Sequence, residues 1–301
     1  MPLKPRPVRR IELVFHPERD TDYRHFDDAR SHPFDTSAAG LGRRNAWWLA
    51  DAALLAYWDE AHALPRFAAA GLEATAFNEQ GVDGYVARGD GFAIVAFRGT
   101  EPDQSSDIFD DARFVLVPWD DTGASVHAGF LDALNRVWPS LAPRLDALAA
   151  THRIWFTGHS LGAALATLAA ARFAHAAGVC TIGSPRVGNR AFASAFSARF
   201  GGRARRYVGD TDVVTHVPPP APLPYKHVDE LRQIDPDGRI GLERPALGHF
   251  FNALVGDAQH LRQVVTLLRT GSMTAAPKFL LDHMPAGYAV DIWNDYAQFG
   301  D

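Results

Sequence analysis

The alternation of short apolar strands with helices of small residues between residues 154 and 208 constrains the fold of this chain most. Apolar runs at 154–156, 179–182 and 205–208 predict buried strands, and the two segments between them predict helices. A strand, a crossover helix and a second strand are the unit from which parallel sheets are built. We therefore predict an α/β fold, with a largely parallel central sheet flanked by helices.

The rest of the chain extends this fold without dividing it into further domains. Its 301 residues can bury a large core without disulfides or metal. Residues 1–44 are rich in Pro, Arg, Asp and His and predict an extended N-terminal arm, and residues 45–301 predict a single domain. Within that domain, a helical insertion is predicted over 231–278, with an amphipathic helix at 248–268. A helix over 132–150, interrupted near Pro139 and Pro143, is also predicted.

Composition and charge exclude several classes of protein. The net charge of −5 gives no global basic field, so no nucleic-acid partner is expected. No window reaches the about 18 consecutive apolar residues of a membrane span. The single cysteine, Cys180, excludes an intrachain disulfide and fits a reducing compartment. Because residues 1–20 lack the apolar stretch of a signal peptide, we predict a cytoplasmic protein, with export by a signal-independent route left open.

The sharpest chemical motif is the Gly-x-Ser-x-Gly pattern within Thr-Gly-His-Ser-Leu-Gly at 157–162. It follows a predicted strand and precedes the helix predicted over 161–177, which is the setting of a nucleophile elbow. Glycines at 158 and 162 remove the Cβ atoms that would clash with the strand and the helix. The helix N-terminus directs backbone N–H groups toward developing negative charge. Ser160 is therefore the predicted nucleophile.

A serine nucleophile needs an orienting acid and a base, which follow it in the order acid, then histidine, in such a sheet. The acid should follow the strand at 205–208, where Asp210 and Asp212 both occur. Either aspartate could instead form a turn, and local physics does not choose between them.

Five histidines follow the predicted acid: His216, His227, His249, His260 and His283. His216 is too close to the acid to fold back onto the serine, and His260 lies within a predicted helix. His249 begins that helix and could face either way. His283 lies in a loop before the last predicted helix, at 288–296, and is favoured as the base.

Five motifs occur in order along the chain. They are Phe-Arg-Gly-Thr at 97–100, Val-His-Ala-Gly-Phe at 126–130, the serine motif at 157–162, Gly-Ser-Pro-Arg-Val-Gly-Asn at 183–189 and Asp-Val-Val-Thr-His-Val-Pro-Pro at 212–219. Together they resemble the fungal-type, class 3 triacylglycerol lipase family of α/β-hydrolases. The resemblance covers about residues 45–225 closely, and the C-terminal segment loosely.

This resemblance implies the α/β-hydrolase fold and a serine carboxylic-ester hydrolase that acts on acylglycerols or related lipid esters. It implies Asp212 as the catalytic acid and His283 as the base, with His249 as the second candidate. It also implies an oxyanion hole formed by Thr100 and the backbone N–H of Leu161. No cofactor and no metal is expected, and the predicted partner is a lipid or other ester substrate.

The segment after Thr100 departs from the family pattern. Family lipases have an amphipathic lid there, whereas residues 101–111 carry five acidic side chains and little apolar surface beyond Ile108 and Phe109. Such a segment gains little from leaving water, so we predict no strong interfacial activation.

Two classes of function are compatible with the sequence. One is the ester hydrolase, and the other is a non-catalytic lipid-binding or interaction protein on a degenerate hydrolase fold. The enzyme is favoured because every residue type of the triad is present. Among enzymes, phospholipase A1, feruloyl esterase and polyester depolymerase stay open, since they differ in pocket shape.

Overall fold

The computed structural model describes residues 1–20, 22–99, 114–209, 211–218, 220, 224–241 and 278–301. Thr100, Asp210, His249, His260, the acidic segment 101–111 and the helix predicted at 248–268 lie outside the described residues. The described helices are α1 (Glu12–Phe15), α2 (Arg43–Leu55), α3 (Glu60–Ala69), α4 (Ala128–Ala149), α5 (Leu161–Arg172), α6 (Arg190–Phe200), α7 (Lys278–Leu281) and α8 (Pro285–Phe299), with 3₁₀ turns at Pro17–Arg19 and Val213–His216. None of these described helices has the length and apolar character needed to cross a membrane.

The strands form one large and one small sheet within the described part of the chain. They are β1 (Glu73–Glu79), β2 (Val82–Arg88), β3 (Phe92–Phe97), β4 (Leu116–Pro118), β5 (Ser125–His127), β6 (Arg153–His159), β7 (Ala176–Ile182), β8 (Gly188–Asn189), β9 (Ala204–Gly209), β10 (Tyr225–Lys226), β11 (Glu230–Ile234) and β12 (Ile240–Gly241). The large sheet has the order β1-β2-β3-β6-β7-β9-β11-β12, and the small one β10-β8-β5-β4. Strands β3, β6, β7, β9 and β11 are parallel, which confirms the predicted fold class.

Both faces of the large sheet are covered. Helices α2 and α8 contribute Trp47 and Trp293 to the core on one face, where their rings lie 4.6 Å apart. Helices α4, α5 and α6 cover the other face. Successive side chains of β3 pack into opposite cores. Ile94 lies in the core shared with α2 and α8, and Val95 lies in the core shared with α4, α5 and α6. Burial on both sides explains why these strands are continuous apolar runs.

Two helix predictions differ from the structure. Helix α4 continues through Pro139 and Pro143, because one of its faces is fully buried and this burial outweighs the hydrogen bonds lost at the prolines. Helix α5 ends at Arg172 and not at residue 177. The residues from Ala176 onward form β7 and pair with β6, so the helix ends earlier than its composition suggests.

The segment predicted as a helical insertion, 231–278, begins as sheet. Residues Glu230–Ile234 pair in parallel with β9, and Ile240–Gly241 then closes the edge in the antiparallel direction. The prediction is therefore wrong for residues 231–241, where pairing satisfies the N–H and C=O groups along the edge of β9. Residues 242–277 lie outside the described part of the chain.

The first residues of the chain lie along α8. The Lys4 N–H donates to Asn294 Oδ1 at 2.8 Å, and Asn294 Nδ2 donates to the Lys4 carbonyl at 3.0 Å. Trp293 Nε1 donates to the carbonyl of Pro2 at 3.1 Å. These bonds give the N-terminal segment a defined position against the helix that follows His283.

Candidate active site

Ser160 occupies the turn between β6 and α5. Its φ of 57° and ψ of −127° place a non-glycine residue in the strained left-handed half of the backbone map. A Cβ atom on Gly158 would lie 2.3 Å from the carbonyl of Gly162, and one on Gly162 would lie 2.3 Å from the Phe97 carbonyl oxygen. The predicted need for glycine at both positions is confirmed. The turn has the geometry of a nucleophile elbow.

Leu161 is the first residue of α5, so its N–H has no acceptor within the helix. This N–H therefore can donate to an oxyanion formed beside Ser160. The segment leading to Thr100 packs against the same turn, since a Cβ on Gly99 would lie 2.9 Å from the His159 carbonyl oxygen. Thr100, the other predicted donor, lies outside the described residues.

Asp212 and His283 lie within hydrogen-bond distance of each other. Asp212 comes three residues after β9, and its Oδ1 accepts from the Val214 N–H at 2.9 Å. Its Oδ2 lies 2.8 Å from His283 Nδ1, and both side chains are almost completely buried. A carboxylate at Nδ1 selects the tautomer in which Nδ1 carries the proton and Nε2 is a free base.

Tyr288 binds the same carboxylate, and sequence reasoning did not assign it to the site. Its hydroxyl donates to Asp212 Oδ2 at 2.5 Å and accepts from the Gly209 N–H at 2.6 Å. Burial, and then the charge of Asp212, raises the pKa of Tyr288 well above its ordinary value, so the hydroxyl stays protonated. The signal in the sequence is weak: a tyrosine on an otherwise apolar helix face needs a partner for its hydroxyl.

His159, the variable residue before Ser160, connects the serine turn to the loop of His283. Its Nε2 donates to the His283 carbonyl at 2.8 Å, and its Nδ1 accepts from the Tyr57 hydroxyl at 2.8 Å. Burial, and then the neighbouring His283, lowers the pKa of His159 well below its ordinary value. The ring therefore stays neutral, with the proton on Nε2. Its centroid lies 4.4 Å from that of His283.

The other motif residues have structural partners. Arg98 forms an ion pair with Asp83. His127 caps α4 through its Nδ1, which accepts from the Phe130 N–H, and burial lowers the pKa of this histidine to about 4. His227, one of the candidate bases, has a structural partner as well, because its Nε2 donates to the Thr215 carbonyl at 2.7 Å. Within the described ranges, no three His, Cys, Asp or Glu side chains converge as a metal-binding group.

Comparison with known proteins gives matches to lipases. The family model of class 3 lipases matches residues 94–221. A lipase from Rhizopus niveus is 36% identical over 156 residues, covering 46% of this chain and 38% of that lipase. The secreted mono- and diacylglycerol lipase 1 of Fusarium solani is 39% identical over 103 residues, covering 32% of this chain and 31% of that protein. The chain thus matches well under half the length of these two relatives.

A solved structure extends the similarity to three dimensions. It is that of a triacylglycerol lipase in which a serine protease triad forms the catalytic centre. The TM-score is 0.50 with 31% sequence identity, and the match covers 56% of this chain and 69% of that one.

The prediction of a cytoplasmic location is wrong, because relatives of this chain are secreted lipases. The prediction rested on residues 1–20, which lack the apolar stretch of a signal peptide, and on the single cysteine. A domain of this size folds around its apolar core without disulfides, so a single cysteine does not require a reducing compartment.

Proposed function

Because the chain belongs to the class 3 lipase family of α/β-hydrolases, we propose that it is a serine carboxylic-ester hydrolase acting on acylglycerols or related lipid esters. In this proposal Ser160 is the nucleophile, His283 the base and Asp212 the orienting acid. The observation that carries it is the buried hydrogen bond between Asp212 and His283. The bond from His159 to the His283 carbonyl then joins the loop of His283 to the strained turn of Ser160.

The reaction passes through an acyl-enzyme. His283 Nε2 takes the proton of the Ser160 hydroxyl as Oγ attacks the ester carbonyl carbon. The carbonyl oxygen becomes an oxyanion, which accepts from the Leu161 N–H and, by analogy with the family, from Thr100. The imidazolium then protonates the leaving alcohol oxygen as the ester C–O bond breaks. A water molecule, deprotonated by His283, then attacks the acyl carbon; as the bond to Ser160 Oγ breaks, His283 returns the proton to Oγ and the fatty acid leaves.

The names of the relatives support the choice of substrate class. The Fusarium solani relative is a mono- and diacylglycerol lipase, and the solved structure is a triacylglycerol lipase. We propose neutral acylglycerols as the substrate and the extracellular medium as the place of action. We also propose that residues 1–44 form an arm on a single domain of residues 45–301, which the bonds from Lys4 to α8 support.

The test uses the full chain, a soluble p-nitrophenyl ester, tributyrin and a phospholipid. We expect hydrolysis of the first two substrates and covalent labelling of Ser160 by a phosphonate ester. Ser160→Ala should lower turnover by several orders of magnitude, because only binding and oxyanion stabilisation would be left. Ser140→Ala is the matched control, since this serine lies on α4 and its hydroxyl donates to the Val137 carbonyl. Labelling at another residue, or an active Ser160→Ala protein, would contradict the proposal.

A further inference from the structure

The N-terminal segment brings an arginine to the residue that precedes His283. The Arg9 guanidinium forms an ion pair with Asp282, whose side chain is only 4% exposed. The same carboxylate accepts from the backbone N–H and the hydroxyl of Thr211. Thr211 immediately precedes Asp212. Asp282 therefore joins the loop of the proposed base to the turn of the proposed acid, and Arg9 binds it from outside.

Arg9 is held in place by its neighbours in the N-terminal segment. Arg6 binds Asp291 in a bidentate ion pair, with Nε and Nη2 at 2.7 and 2.9 Å from the two carboxylate oxygens. Together with the bonds between Lys4 and Asn294, this pair fixes residues 4–6 along α8. Both contacts lie on the helix that follows His283, so Arg9 is anchored to the element that it helps to position.

The Arg9 contact matters because it offsets the repulsion between two buried carboxylates, Asp212 and Asp282. Asp212 is fully buried and Asp282 nearly so, and both charges act on the Tyr288 hydroxyl, raising its pKa. Two like charges that share a poorly solvated region repel each other. A cation on the outer carboxylate offsets that repulsion and keeps the two loops together.

We propose that Arg9 is a positioning residue for catalysis, which through its ion pair with Asp282 holds the His283 loop against the Thr211–Asp212 turn. The inference rests on the proposed function. It goes beyond it by making the N-terminal segment part of the machinery that orients the base.

The test measures kcat and KM for a soluble ester, expressed per active site titrated with the phosphonate, so that unfolded protein is not counted. Arg9→Gln should lower kcat about fivefold and leave KM within about twofold, the size expected for one charge-assisted hydrogen bond that is partly exposed. Arg9→Lys should restore at least about half of the wild-type kcat, since it keeps the charge. Arg10→Gln is the matched control, because Arg10 is the exposed neighbour of Arg9 and its side chain forms no hydrogen bond or ion pair with the described residues; kcat should stay unchanged.

A double-mutant cycle tests whether Arg9 acts through Asp282. In an Asp282→Asn background, Arg9→Gln should have no further effect on kcat. An unchanged kcat in Arg9→Gln, an equal loss in Arg10→Gln, or an undiminished effect in the Asp282→Asn background would each overturn the inference. If Arg9→Gln cannot be obtained folded, Arg9→Lys and Asp282→Asn decide, and wild-type turnover in Asp282→Asn would refute the role. A wild-type protein that neither hydrolyses esters nor is labelled at Ser160 would overturn the proposed function, and this inference with it.

Discussion

Replacing Tyr288 by phenylalanine removes one oxygen atom from the centre of the site. In the structure this hydroxyl donates to Asp212 Oδ2 at 2.5 Å and accepts from the Gly209 N–H at 2.6 Å. All the surrounding apolar contacts of the ring stay the same, since phenylalanine has the same shape. The substitution therefore tests the polar connections alone.

The magnitude follows from the burial of both partners. A hydrogen bond to a charged group contributes about 1.5–3 kcal/mol, and a buried donor left without a partner costs about 1–3 kcal/mol. Because a shifted water or a small backbone movement would recover part of this, we expect Tyr288→Phe to lower the free energy of unfolding by about 3 kcal/mol. A carboxylate that holds His283 less firmly should also lower turnover about tenfold, equivalent to about 1.4 kcal/mol in the activation barrier.

Urea unfolding at pH 7 and turnover per titrated active site measure the two effects. Tyr296→Phe is the matched control, because it makes the same change in the same helix. The Tyr296 hydroxyl lies 3.1 Å from His32 Nδ1 in a partly exposed setting, so its loss should cost less than about 1 kcal/mol and no activity. If Tyr288→Phe unfolds like the control and keeps full turnover, the Tyr288 bonds do not support the Asp212 carboxylate, and the reasoning is wrong.

Three further outcomes follow from the same structure. Asp212→Asn should lower turnover by about 10⁴, because the wrong tautomer of His283 would be favoured. A loss of less than tenfold per titrated active site would show that Asp212 is not the orienting acid. Gly183→Ala should lower the free energy of unfolding by about 1–3 kcal/mol, since a Cβ at this φ of +57° would lie 3.0 Å from Asp212 Oδ2 and His283 Nδ1. Thermal unfolding measures this loss, and a variant more stable than the wild type would contradict the prediction. Burial lowers the pKa of His25 to about 3 and of His127 to about 4, so these side chains fold neutral whereas the unfolded chain binds their protons below about pH 6.5. Stability should therefore be highest above that pH and fall as the pH drops from about 6.5 toward 4, by up to about 1.4 kcal/mol per pH unit for each histidine. His127→Asn, which can still cap α4, should show a shallower decline in urea unfolding, and an identical slope would exclude His127 as a source.

The parts of the molecule that local rules determine could be predicted from the sequence. The Ser160 turn is one, because its requirement for small residues at 158 and 162 is a property of a few consecutive residues. The central strands are another, since burial on both faces leaves an apolar run that any strand of this kind shows. The uninterrupted helix through Pro139 and Pro143 was missed because tertiary burial outweighed a local penalty.

The choice of acid and base depends on contacts between residues far apart in the chain. The residues alone left Asp210 and Asp212 open and favoured His283 as the base, whereas the assignment of Asp212 came from the family resemblance. The bonds of Tyr288 to Asp212 and of His159 to the His283 carbonyl join positions 76 and 124 residues apart. No periodicity or spacing rule reports on such pairs, because only the folded sheet brings them together.

These connections concentrate on the C-terminal segment, and this predicts how the site is lost. Asp282 and His283 lie just before α8, separated from it by Met284. Tyr288 lies in the first turn of the helix, and Asp291 one turn later binds Arg6 of the N-terminal segment. The helix itself is held against α2 by the packing of Trp293 on Trp47. If α8 leaves the sheet, the base, the tyrosine donor to the acid and the partner of Arg9 all leave with it. Conditions that release α8 should therefore abolish turnover as one event, without first weakening the Ser160 turn, which β6 and α5 hold independently.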